Sequence, residues 1–183
     1  MAVLTGDGLC LRPLLLADAP ALTRAALESV TTVGVWLPWC DASFKLEDAV
    51  HWVQTCDADR AEGSAFSVGI FDAGDGDYLG GIGINHINRE HDFANLGFWV
   101  RQSRHGERIA PRAARLMAAY GFSKLGLTRL EIVAAGIATP RMTRRLCRMP
   151  SKRAPAFSAT LRLRAFCSAA TISSRVRPSL AKP

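Results

Sequence analysis

Hydrophobic residues change their spacing along the chain, and these changes divide residues 9–135 into strands and helices. Leu9 to Leu14 predicts a strand, and Leu16 to Ser29 predicts a helix with Pro20 in its first turn. A second helix is predicted to begin near Ser43, because serine commonly caps helix N-termini. The chain therefore opens with one strand and two helices.

Three strands are predicted next. They cover Ser64 to Phe71, Tyr78 to Ile87 and Phe93 to Val100. Turn-rich segments at Asp72–Asp77 and Asn88–Asp92 separate them. Such short connections favour antiparallel pairing between neighbouring strands.

The segment after the third of these strands predicts a helix with one buried face. Helical spacing relates Ile109, Ala113, Leu116, Met117 and Tyr120. A strand that leads through a turn at Gly106 into a helix leaves several main-chain N–H groups unpaired at one place, and such a place attracts phosphate. Thr128 to Ala135 predicts a final strand, parallel to the one before the turn and reached by a right-handed crossover.

Composition fits one globular domain, and charge separates the body of the chain from its tail. Of 183 residues, 49% are hydrophobic and 21% are charged. Residues 1–131 contain 12 basic and all 16 acidic residues, whereas residues 132–183 contain 11 basic residues and no acidic one. The net charge of +7 therefore comes from the tail. A nucleic-acid partner is not expected for the body.

Metal binding, disulfides and membrane insertion are not expected either. The four histidines form no metal-ligand spacing, and no CxxC motif relates the five cysteines, Cys10, Cys40, Cys56, Cys147 and Cys167. No apolar run approaches the roughly 20 residues of a membrane span. The N-terminus has no basic start followed by an apolar core, so no signal peptide is predicted and a cytoplasmic protein is the default expectation.

Several motifs in residues 9–135 resemble one protein family. The segment Ser103 to Ala110, SRHGERIA, resembles the [QR]xxGx[GA] pyrophosphate loop of the GNAT superfamily of N-acetyltransferases, and is most similar to its RimJ/RimL-like, ribosomal-protein-alanine branch. LPW, GGIGIN, ANLGFWV and LGLTRLEIVAA resemble the same family in the same order. Two positions depart from it: Ser103 replaces Gln or Arg, and Arg108 replaces Gly or Ala. A left-handed backbone at Arg108 would cost about 1–2 kcal/mol.

The resemblance implies an α+β fold with three α/β/α layers, in which helices cover both faces of a mixed, mostly antiparallel twisted sheet. It implies that residues 1–135 bind acetyl-CoA as co-substrate and transfer its acetyl group to an amine by direct attack on the thioester. The acceptor would be a protein N-terminus (ribosomal or other), a peptide or a small molecule, and a homodimer is left open. The alternative is an acyl-CoA-binding or catalytically impaired remnant.

The resemblance also implies site residues. The donor is expected to contact Phe98, Trp99, Val100, Arg104, His105, Gly106, Glu107, Arg108, Ile109 and Ala110. Trp36 and Trp39 are candidates for the acceptor pocket, although a packed corner is the alternative for these tryptophans. Asn95 stands where family members often have glutamate, and an amide cannot act as a base. His86 is a candidate base through water, with a structural role as the alternative.

The resemblance ends at Gly136, after which residues 136–183 form a basic tail. It departs from the family's last helix and hairpin, so we hypothesise a shifted reading frame or partial disorder there. Residues 161–166 and 171–177 are compatible with a makeshift hairpin. A basic arm for ribosomal RNA is a third possibility. Thr139 is the hydroxyl nearest to where the family places acceptor-positioning groups.

Overall fold

The structure is a computed structural model that describes residues 2–135 and the backbone of residues 160–166, with side chains described for residues 2–132. Expectations for the rest of the tail, including Thr139 and residues 171–177, lie outside the described residues. The elements in chain order are β1 (Leu4–Gly6), β2 (Leu9–Arg12), a 3-10 turn (Leu16–Asp18), α1 (Ala19–Glu28), α2 (Leu46–Glu62), β3 (Phe66–Asp72), β4 (Tyr78–Asn88), β5 (Phe93–Val100), a second 3-10 turn (Gln102–Arg104), α3 (Ile109–Lys124), β6 (Arg129–Ala135) and β7 (Thr160–Phe166).

The seven described strands form one sheet in which the spatial order follows the chain order. Strands β1 to β5 pair antiparallel, whereas β6 pairs parallel with β5, and β7 pairs parallel with β6. A parallel neighbour requires a crossover connection, and α3 provides it between β5 and β6. The prediction of a mixed, mostly antiparallel sheet with a parallel β6 is confirmed.

Helices cover both faces of this sheet. On one face α3 packs through Ile109, Ala113 and Met117 onto strand residues such as Leu11, Ile70, Ile84 and Leu96. On the other face α1 and α2 pack through Leu22, Ala25 and Val53 onto Leu14, Phe71 and Tyr78. Alternate strand residues point to opposite faces, so one sheet serves both cores. The predicted three-layer α+β fold is confirmed.

The first strand and the first helix are shorter than predicted. Strand β2 ends at Arg12, because Pro13 has no N–H to donate to the ladder. A 3-10 turn then precedes α1, and Asp18 at its end accepts two hydrogen bonds from the Arg12 guanidinium at 2.7 and 2.8 Å. Strand β1 was not predicted, since three residues are too few to show a period.

The predicted cap of the second helix is wrong. The N-cap of α2 is Lys45, whose N–H donates to Asp48 Oδ2 at 2.8 Å. Ser43 lies before the helix, and its N–H and hydroxyl both donate to Asp41 Oδ1, at 2.7 and 2.6 Å. The Asp48 carboxylate thus binds the N–H of the N-cap, and the Ser43 hydroxyl binds Asp41 instead of the helix.

Candidate active site

Strands β5 and β6 share only three residue pairs. The parallel ladder joins Phe93 to Arg129, Ala94 to Leu130 and Asn95 to Glu131. Beyond Asn95, β4 is the only described strand in register with β5, whereas β6 continues in register with β7. The sheet therefore opens between residues 96–100 and residues 132–135, and we call this opening the fork.

The direction of the main-chain groups in β5 follows from one hydrogen bond. The N–H of Arg101 donates to the carbonyl of Leu79 across the β4 side, at 2.9 Å. Because main-chain groups in a strand alternate direction, those of Trp99 also face β4, whereas those of Phe98 and Val100 face the fork. Two of the three predicted donor contacts on this strand can therefore be made by main-chain atoms.

A second set of free main-chain groups lies at the end of β5. No N–H group of residues 106–110 donates a hydrogen bond to any described residue. These amides precede and begin α3, where the helix dipole adds positive potential. Gly106 has φ 87°, and the N-cap Arg108 has φ 57° and ψ 28°, so both are left-handed. This turn is suited to an anion such as a diphosphate.

The two arginines of this loop, Arg104 and Arg108, differ in how readily each could bind an anion. Arg104 donates to Glu107 at 2.8 Å and also lies 3.3 Å from Asp72 and 3.4 Å from Asp77. Three carboxylates therefore surround its guanidinium. Arg108 is exposed and makes no ion pair or side-chain hydrogen bond with any described residue. Arg108 is thus free to meet an anion in this loop, whereas Arg104 would first have to leave its partners.

Two further side chains fix the shape of the loop. His105 Nε2 lies 2.8 Å from the carbonyl oxygen of Val100, and since a carbonyl can only accept, this nitrogen carries the hydrogen. Arg112 donates to the carbonyl oxygens of Asp7 at 2.7 Å, Glu107 at 3.2 Å and Arg108 at 3.2 Å. The carbonyl groups of Val100, Glu107 and Arg108 thus accept hydrogen bonds from side chains of the protein itself. The helical spacing of the apolar residues in α3 does not predict these Arg112 contacts.

The predicted acceptor tryptophans have different surroundings. Trp39 is half-buried, with its ring centroid 5.3 Å from that of Trp99 and 5.6 Å from that of Phe44. Trp36 is 44% exposed. The packed corner therefore describes Trp39 well, while Trp36 stays open to solvent. Trp99 belongs to this aromatic cluster on the α1/α2 face, where Gly81 leaves room for its indole.

Polar side chains line the base of the fork. Asn95 is in register with Asn85 of β4 on one side and Glu131 of β6 on the other. Its neighbours Ala94 and Leu130 face α3, so Asn95 and Glu131 face the α1/α2 side. His86 is exposed and lies in the β-bulge after Asn85, with φ 50°.

Glu131 is a buried carboxylate at this position that sequence reasoning missed. It is 8% exposed, and its Oε1 lies 3.1 Å from Arg129 Nε. That contact is an ion pair without hydrogen-bond alignment, since Nε has no hydrogen-bond partner among the described residues. An acidic residue inside the apolar strand segment RLEIVAA was the available signal. Its register with Asn95 became visible only in the sheet.

The family model described as an acetyltransferase (GNAT) domain matches residues 8–137. The chain belongs to the GNAT acetyltransferase family. It is therefore an acetyltransferase, and acetyl-CoA is its co-substrate. No curated protein matches the chain. No described helix has the length and hydrophobicity needed to span a membrane, and the described residues contain no cluster of metal-ligating side chains.

Solved structures share the fold of this GNAT chain. A putative ribosomal-protein-serine acetyltransferase from Vibrio cholerae has a TM-score of 0.66 at 22% identity, over 80% of each chain. RimL, described as the ribosomal L7/L12 α-N-protein acetyltransferase in complex with coenzyme A, has a TM-score of 0.58 at 23% identity, over 65% of this chain and 67% of its own. The microcin C7 self-immunity acetyltransferase MccE, in complex with acetyl-CoA and AMP, has a TM-score of 0.62 at 19% identity, over 68% of each chain. At these identities the similarity shows the fold alone.

Proposed function

We propose that this chain is an N-acetyltransferase that moves the acetyl group of acetyl-CoA onto a primary amine by direct attack. The observation that carries the proposal is the position of the free amides of residues 106–110 at the end of β5 that adjoins the fork. A donor with an anionic diphosphate and an extended arm fits this arrangement, because the diphosphate matches the free amides and the arm matches the fork. Acetyl transfer would then take place at the base of the fork, beside Asn95.

The donor is proposed to extend along β5. Its diphosphate accepts hydrogen bonds from the amides of residues 106–110, with Arg108 as an additional cation. Its arm contacts the fork-facing main-chain groups of Phe98 and the N–H of Val100, since the Val100 carbonyl oxygen already accepts from His105. At about 3.4 Å per residue, Asn95 lies about 17 Å from Val100 along the strand. The thioester is proposed to reach this base, where a fork-facing amide stabilises the negative charge on its carbonyl oxygen.

The acceptor is proposed to enter from the α1/α2 face, past Trp36 and Trp39. An ammonium group must lose a proton before it can attack the thioester. We assign Glu131 as the proton acceptor, because it is a buried carboxylate beside Asn95, whose amide orients the amine. The new nitrogen–carbon bond forms as the carbon–sulfur bond breaks, and the thiolate of CoA leaves and takes up a proton. His86, acting through water from the exposed bulge, is the competing base.

The proposed acceptor class is an N-terminal amine of a protein or peptide, with small amines as the competing class. Solved relatives described as acetyltransferases of ribosomal proteins support including peptides of that kind. The described body is also mildly acidic, which favours a cationic acceptor over an anionic one. The acceptor is expected to approach as an ammonium ion.

The proposal is tested in two steps with the full chain. Calorimetry measures binding of acetyl-CoA, and a thiol-release assay then measures transfer over a panel of N-terminal peptides and small amines. We expect saturable binding and acceptor-dependent thiol release, with the acetylated amine confirmed by mass spectrometry. Binding without release on any acceptor would instead identify an acyl-CoA-binding remnant. The absence of binding would overturn the site itself.

A further inference from the structure

The C-terminal end of α1 contacts the segment between β5 and the free amides. Glu28 is the last residue of α1, and its carboxylate accepts from Arg101 Nη2 at 2.6 Å and from Arg101 Nε at 2.9 Å. The same carboxylate accepts from the hydroxyl of Ser103 at 2.8 Å and from its main-chain N–H at 3.2 Å. One side chain therefore holds two residues that lie 73 and 75 positions later in the chain.

Residues just after Glu28 bind the residue between these two. The buried hydroxyl of Ser29 accepts from the main-chain N–H of Gln102 at 3.0 Å and donates to Ala25 at 2.6 Å. The hydroxyls of Thr31 and Thr32 both donate to the side-chain oxygen of Gln102, at 3.0 and 3.2 Å. All three residues of segment 101–103 are thus fixed to α1 and its extension.

The position of Glu28 is unfavourable for its own helix. A carboxylate in the last turn meets the negative end of the helix dipole. The hydrogen bonds from Arg101 outweigh that effect and lower the pKa of Glu28 to about 2. Within the described residues, Arg101 also reaches Asp77 at 3.3 Å and the carbonyl of Tyr78 at 3.2 Å. Glu28 therefore contributes to the β5–α3 connection rather than to α1.

We propose that Glu28 is a positioning residue for the donor: by holding Arg101 and Ser103 it fixes the segment from which the amides of residues 106–110 extend. This inference rests on the proposed function, in which those amides bind the diphosphate. Glu28 touches neither the fork nor the reacting atoms in this arrangement. Its loss should weaken the recognition of the diphosphate while the transfer step keeps its rate.

The test compares Glu28→Gln with Glu62→Gln. Glu62 ends α2 as Glu28 ends α1, but it is exposed and has no partner among the described residues. Each variant is measured by calorimetry with acetyl-CoA and by steady-state kinetics with acetyl-CoA and with S-acetylpantetheine, which lacks the diphosphate. Circular dichroism and a thermal melt establish that each variant is folded. Ser103→Ala, which removes a single contact of Glu28, provides a milder variant if Glu28→Gln fails to fold.

Glu28→Gln is expected to raise the Kd and KM for acetyl-CoA about tenfold, the effect of losing one charge-assisted interaction. Its kcat, and its kinetics with S-acetylpantetheine, should remain within about twofold of wild type. Ser103→Ala should change the same parameters in the same direction by a smaller factor, and Glu62→Gln should change none. An unchanged Kd, or equal losses with both donors, would overturn the positioning role. A wild-type protein that fails to bind acetyl-CoA would instead overturn the proposed function.

Discussion

Replacing Arg108 by glycine should stabilise the free protein. Arg108 is the N-cap of α3 and has φ 57° and ψ 28°. A side chain in this left-handed conformation costs about 1–2 kcal/mol, a cost that glycine does not have. Glycine also makes the unfolded chain more flexible, which lowers the free energy of unfolding by about 0.5–1 kcal/mol. The relief of strain is the larger effect, so the free energy of unfolding should rise by about 0.5–1 kcal/mol.

Urea denaturation and a thermal melt measure this change. For a chain of 183 residues, the expected gain corresponds to a Tm increase of about 1–4 °C. Arg108→Ala is the matched control, because alanine also removes the guanidinium but keeps the Cβ atom that causes the strain. Alanine should therefore give no gain. If glycine and alanine give equal stabilities, the backbone at this position is not strained and the reasoning is refuted.

The same two variants test what the Arg108 side chain does for the donor. Both remove an exposed cation beside the free amides, so both should weaken acetyl-CoA binding by about two- to fivefold. The remaining affinity should fall less steeply with added salt. Calorimetry at two salt concentrations measures both effects. Tighter binding by Arg108→Gly than by wild type would show that Arg108 obstructs the site.

Three other perturbations give distinct expected outcomes. In the thiol-release assay, Glu131→Gln should lower kcat by about 10²-fold or more, with little change in the Kd for acetyl-CoA. The kcat of His86→Ala should stay within a few-fold of wild type. The reverse result would make His86 the base. The pKa of Glu28 lies at about 2, below its ordinary value of 4.5, so its contribution to stability is present above pH 4.5 and is lost as the pH falls toward 2. Urea denaturation across this range should show a steeper decline for wild type than for Glu28→Gln, and parallel curves would contradict it. Gly80→Ala should lower the free energy of unfolding by about 2 kcal/mol or more, because its Cβ would lie 2.2 Å from the Trp99 carbonyl oxygen at φ 151°. Gly97→Ala, with nothing within 4 Å of the added atom, should not destabilise the protein in the same measurement.

Local patterns were enough to predict most of the fold. The alternation in residues 64–100 and the helical period in residues 109–120 each depend on neighbours within one turn or one strand pair. The order of elements then limits the sheet to few arrangements, because a strand that follows a helix tends to return parallel. The errors were equally local. A cap at Ser43 was predicted, whereas the N-cap is Lys45, whose N–H donates to Asp48.

The candidate site was less accessible to sequence reasoning, because its contacts join distant parts of the chain. Glu28 and Arg101 are 73 residues apart, and no periodicity relates them. In the sequence, Glu131 is a single acidic residue in an apolar strand. Only the register of the sheet shows that it lies beside Asn95. Arg112 is not part of the apolar set that predicted α3, and its hydrogen bonds back to the loop carbonyls do not follow from the helical period. Sequence patterns indicate faces, but they do not indicate which faces meet.

The three-pair ladder between β5 and β6 has a consequence for the protein without its donor. Within the described residues, those few rungs and the hydrogen bonds from the N–H groups of Thr128 and Arg129 to the carbonyl of Asp92 join the two parts of the sheet, and α3 connects them covalently. An extended donor arm that hydrogen-bonds Phe98 and Val100 would act as a substitute strand segment and close the sheet from within. Exchange of the Phe98 and Val100 amides should then slow when acetyl-CoA is added, far more than exchange in β3, which already has partners on both sides.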